Sequence, residues 1–136
     1  MKKILSTLFV LATLFSFTNV LAQKQKAYVK FTQKPPSKLI KDDISTTDFF
    51  VEYKSKKEVT IYLELRNGSK ILGNAIKTVK SKKPQNLKLN ITTFEKIIPS
   101  SGYNYNLYMY EGAKNDWTKQ IGEPIVIKDI KISRLY

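Results

Sequence analysis

The sequence predicts an all-β domain, an antiparallel β-sandwich of seven to eight strands. Three observations predict it. Through 49–65 and 103–110, apolar side chains alternate with polar ones at a period of two, the mark of a sheet with one buried side. The residues that alternate are largely β-branched and aromatic, which suits a pleated, half-buried surface. Turn signals recur roughly every dozen residues, and no stretch between them keeps helical spacing.

The first residues stand outside that pattern. Lys2 and Lys3 form a positive start, 4–21 is almost wholly apolar, and Val20-Leu21-Ala22 offers a cleavage motif. A bacterial-type signal peptide over 1–22 is expected, leaving 23–136 as a single domain. Ser16, Thr18 and Asn19 interrupt the apolar run just before the motif, which argues against an uncleaved anchor. No membrane span is expected in the mature chain. The protein is expected to be exported, to the periplasm, the cell surface or the medium. With no cysteine there is no lipid attachment and no disulfide, so stability comes from packing alone.

Each strand has its own justification. Ala27, Val29 and Phe31 share one face of a first strand, which Pro35-Pro36 stops. The stretch 37–47 reads as a polar connection holding Leu39, Ile40 and Ile44. Next comes a hairpin: Val51 and Tyr53 face the core from its first strand, and Ile61 and Leu63 from its second. Ser55-Lys56-Lys57-Glu58 reads as the charged turn between them. Asn67-Gly68 marks the next turn, because both residues tolerate positive φ. A strand over 70–79 is less regular, with Gly73 at a bulge or bend. The segment 80–85 reads as a solvated loop, and Leu87, Leu89 and Ile91 as another strand. Phe94, Ile97 and Ile98 are expected to plug the end of the core. Tyr103, Tyr105, Leu107 and Met109 face inward on the clearest remaining strand, and Tyr108 and Tyr110 outward. The last strand, 125–132, changes parity at Asp129, a bulge signal. No internal repeat, linker or second domain is visible.

The run Ile97-Ile98-Pro99-Ser100-Ser101-Gly102-Tyr103-Asn104-Tyr105 resembles the approach to strand F of immunoglobulin-like and fibronectin type III-like modules. The resemblance implies a tyrosine corner, with the Tyr103 hydroxyl turned back onto backbone near Ile97 to Ser101. Val51-Glu52-Tyr53, 59–65, Gly102-Tyr103, Asp116-Trp117 and 126–130 are also similar to sandwich modules of secreted bacterial polysaccharide-degrading enzymes, such as agarases. That similarity implies an accessory, carbohydrate-related role.

Chemistry narrows the options further. Without His or Cys the chain lacks Ser-His and Cys-His nucleophiles, a neutral-pH proton shuttle and the usual transition-metal ligands. Six of its eleven acids sit in two loop clusters, Asp42, Asp43 and Asp48, then Glu111, Asp116 and Glu123, without the spacing of a calcium loop. They read as solvated charges, so no catalytic residue, metal or cofactor is expected. The full chain carries a net charge of +13, which suits an anionic partner. Only Arg66 and Arg134 could make forked contacts to phosphate or bases, which speaks against nucleic acid. Two groups of residues are therefore candidates. Tyr62, Tyr108, Tyr110 and Trp117 would form an outward aromatic platform for sugar rings. Lys54, Lys56, Lys57, Lys80, Lys82 and Lys83 would form a basic surface. The expected function is a non-catalytic binding or adhesion module for carbohydrate or an anionic surface component. The alternative is a cell-envelope assembly protein that pairs sheet edges with a protein partner.

Overall fold

The computed structural model describes residues 26–113 and 116–134; the expected signal peptide, 1–22, lies outside them. Within these residues seven strands form one mixed sheet: β1 Tyr28–Phe31, β2 Lys38–Ile40, β3 Phe49–Asn67, β4 Lys70–Leu89, β5 Thr92–Thr93, β6 Ser100–Glu111 and β7 Ile125–Ser133. Their order is β2-β7-β6-β3-β4-β5, with β1 on β3 off this path. The protein is all-β, and its sheet curls strongly into a half-barrel. One expectation is corrected at β2 and β7, which run parallel while every other pair is antiparallel.

The spine is a single hairpin, β3 with β4. Ser55-Lys56-Lys57-Glu58 does not turn the chain: 49–54 and 59–65 are two halves of β3, and both pair with β4. The expected loop over 80–85 is likewise continuous strand within β4. Neither segment holds a residue at positive φ, which a tight reversal between twisted strands requires. The reversal falls at Gly68-Ser69, where Gly68 has φ 60° and Asn67 already pairs with Lys70. Along its other edge, β3 meets β1 with its first half and β6 with its second.

One face of this spine makes the core. Val51, Tyr53, Ile61, Leu63, Leu89, Tyr105 and Leu107 are all buried, as the alternation predicts. The Phe49 ring meets that of Tyr105 edge-on at 5.1 Å, and the Tyr105 hydroxyl donates to the Pro36 carbonyl at 2.7 Å. A short 3-10 helix, Lys41–Thr46, brings Ile44 into the core. Of the three expected plugs only Ile97 is buried; Phe94 and Ile98 are exposed. The Tyr103 hydroxyl donates to the Ile98 carbonyl, the bond expected of a tyrosine corner. Asp129, at φ 65°, sits at the expected β7 bulge. Among the described residues no helix is long and apolar enough to cross a membrane.

Candidate functional site

The lysine-rich segments meet where the long hairpin breaks register. Tyr53 pairs with Gln85, Ser55 with Ser81, and Val59 with Val79. Between these pairs Lys56, Lys57 and Glu58 stand opposite Lys80 alone, and Lys82, Lys83 and Pro84 opposite Lys54 alone. Each strand thus bulges once, on either side of the Ser55–Ser81 pair. The two bulges are built alike: Ser55 Oγ donates to the Lys57 carbonyl and Ser81 Oγ to the Lys83 carbonyl, each at 2.6 Å. Such bulges bend a strand and raise its twist, so they help to curl the sheet here. They also put Lys54, Lys56, Lys57, Lys80, Lys82 and Lys83 around one point. Lys54 is half-buried and the other five are exposed. None of the six pairs with a carboxylate among the described residues.

Two clefts flank the bulges and meet at Ala27. The larger, about 540 Å³, is lined by Lys26, Tyr28, Val29, Lys30, Lys54 and Pro84. The smaller, about 230 Å³, takes Ser55, Lys56, Lys57, Val59, Glu111 and Ile121. Together they make a groove with lysines along its length, Glu111 in the lining of the smaller end and Glu52 beside Tyr28 at the larger. At the larger end the Tyr28 hydroxyl donates to Glu52 Oε2 at 2.9 Å, and Lys30 Nζ lies 3.4 Å from the same oxygen. Burial first, and then the Glu52 carboxylate, push the Tyr28 hydroxyl above its ordinary pKa.

The aromatic residues are arranged differently from expectation. Tyr62, Tyr108 and Tyr110 do meet on the sheet face opposite the core, with ring centroids 5.8 to 6.4 Å apart. However, Tyr62 is only 7% exposed and Tyr110 only 5%, so they present little open ring surface. Trp117 is 78% exposed in a short 3-10 helix, Trp117–Lys119, and stacks on none of the three. The four rings do not form one open platform.

The tyrosines belong instead to a polar layer over the second half of β3. Arg66 Nη1 lies 3.2 Å from Glu64 Oε2 and donates to the Tyr108 hydroxyl at 3.3 Å, while Asn106 donates to that hydroxyl at 2.8 Å. Asn74 donates to the Tyr62 hydroxyl at 3.1 Å. Burial pushes the Tyr110 hydroxyl up to about 12, chiefly by disfavouring its charged form. It also raises the Glu64 carboxyl, despite Arg66 beside it. This layer explains why 59–65 is buried on both faces.

Tyr28, Lys26 and Lys30 are groove residues that the alternation pattern did not single out. One sequence signal would have found the groove's centre: the tetrapeptide Lys-Ser-Lys-Lys occurs twice, at 54–57 and 80–83. No protein-family model matches the chain, and no curated protein is similar to it in sequence, so its function must be read from this geometry.

Proposed function

We propose that the chain is an exported, non-catalytic binding or adhesion module that holds an anionic polysaccharide, or a like component of a cell surface, along the lysine groove. The observation that carries this is the meeting of the two Lys-Ser-Lys-Lys segments at paired bulges, six cations without a carboxylate partner among the described residues. Clustered like charges repel, and a polyanion relieves that repulsion as it binds. Lysine is a strongly hydrated point charge and fits scattered sulfates or carboxylates better than base edges.

Titration calorimetry with dextran sulfate and uncharged dextran tests the proposal. The wild-type chain should bind dextran sulfate, more weakly as salt rises, since exposed charges are screened over about 8 Å at physiological ionic strength. The variant with Lys56, Lys57, Lys82 and Lys83 all changed to Gln should bind at least about tenfold more weakly, a loss of roughly 1.4 kcal/mol. Equal binding by the variant would place the anion elsewhere.

A second function, envelope assembly by sheet-edge pairing, has one feature in its favour. Among the described residues β4 pairs with β5 only at Gly73 and Asn74, which leaves 75–89 without a strand partner along one edge. That edge carries Lys77, Lys80, Lys82, Lys83 and Lys88, with Pro84 and a bulge, all devices that discourage strand addition. Anion binding is therefore the stronger proposal.

A further inference from the structure

We infer that the larger cleft is a subsite for one pyranose ring of an acidic polysaccharide, with Tyr28 as its stacking surface; this rests on the anionic-groove proposal. Four features of the cleft point to a charged sugar rather than to a bare anion. Its lining includes an aromatic ring, and the C–H face of a pyranose packs on such a ring. Lys26, Lys30 and Lys54 line the same cleft and offer cations to a sulfate or carboxylate substituent. The Lys30 ammonium stands 5.8 Å from the Tyr28 ring centroid, at the limit of a cation–π contact, and its side chain is 60% exposed, so its weak surface pairing with Glu52 is open to exchange for a bound anion. Outside the lining itself, beside Tyr28, Glu52 is held by the Tyr28 hydroxyl and Lys30 and offers a carboxylate to accept from sugar hydroxyls.

The cleft is also placed for a polymer. Tyr28 pairs with Lys54, the lysine opposite the β4 bulge, so the ring lies beside the point where the six lysines converge. A chain that seats one ring on Tyr28 can therefore lay its next charged groups past Ala27 towards Lys56 and Lys57. Trp117 and the tyrosine layer take no part. The ring-binding role expected of Tyr62, Tyr108, Tyr110 and Trp117 passes to Tyr28.

Two probes separate ring recognition from simple charge. Dextran sulfate has charged pyranose rings; inorganic polyphosphate has charge and no ring. The full chain, Tyr28→Ala and Tyr28→Phe are titrated with both. Tyr28→Ala should bind dextran sulfate about tenfold more weakly and polyphosphate as tightly as the wild type, and Tyr28→Phe should bind both probes normally. Unchanged dextran sulfate binding by Tyr28→Ala would overturn the ring subsite while leaving the lysine groove standing. Equal loss of both probes would also overturn it, because the substitution would then have disturbed β1 and the cation array. If the wild-type chain bound neither probe, the anionic groove itself would fall.

Discussion

Glu64 is a carboxylate buried on the outer face of the sheet. It points away from the core, yet it is only 4% exposed, because Arg66, Tyr108 and their neighbours close over it. Burial raises its carboxyl above the ordinary range even though Arg66 pulls the other way. A carboxyl raised in the folded state favours folding through its neutral form. That contribution is present below the unfolded pKa of about 4.3 and is lost as pH rises through the folded value. Glu64→Gln keeps an oxygen facing Arg66 and removes the charge that burial disfavours. Relative to the wild type, the variant should therefore be more stable at about pH 7 than at about pH 4. Urea melts of both proteins at the two pH values would show it. A difference that stays constant with pH would mean that Arg66 fully offsets the burial of the charge.

At the scale of elements, the closest approach to a glycine lies where β5 pairs with β4. A Cβ on Gly73 would sit 2.8 Å from the Thr92 carbonyl oxygen and 2.9 Å from Ile91 Cγ2, and one of those atoms is backbone. Gly73→Ala should cost about 1–3 kcal/mol in a denaturant melt, the range of overpacking in a close-packed site. An alanine variant as stable as the wild type would mean that β5 shifts freely. Gly73 as a special position was legible, and so was the β7 bulge, because the parity of apolar residues changes at Asp129 itself. Inward and outward faces were legible for the same reason: one-sided burial writes itself into the period. The continuity of β3 and β4 was not. A polar run such as 55–58 looks the same whether it turns the chain or bulges within a strand, and the deciding residue, Ser81, lies far along the sequence. The tyrosine layer was hidden by a related ambiguity. Outward parity says which way Tyr62 and Tyr110 point, but their cover comes from one another and from side chains on β3, β4 and β6.

Across the whole molecule, charge and stability pull against each other. The full chain carries +13, and the ion pairs among the described residues, such as Lys70–Glu95 and Lys88–Asp48, leave the bulges untouched. A large net charge destabilises the compact state by self-repulsion, and that repulsion is densest where the six lysines meet. The groove should therefore be a local weak point that an anion strengthens. At low salt, the variant with Lys56, Lys57, Lys82 and Lys83 changed to Gln should melt about 3 °C above the wild type, for a relief on the order of 1 kcal/mol. Raising the salt to physiological strength should narrow that gap, because screening does for the wild type what the substitutions do for the variant. Dextran sulfate should lift the wild-type melting temperature and leave the variant nearly unmoved, since a ligand stabilises only the state that binds it. Melting curves of both proteins at two salt concentrations, with and without dextran sulfate, measure all three effects. If the variant gained as much as the wild type from dextran sulfate, the polyanion would be acting on the chain's general surplus of charge, and the paired bulges would be a device for curling the sheet alone.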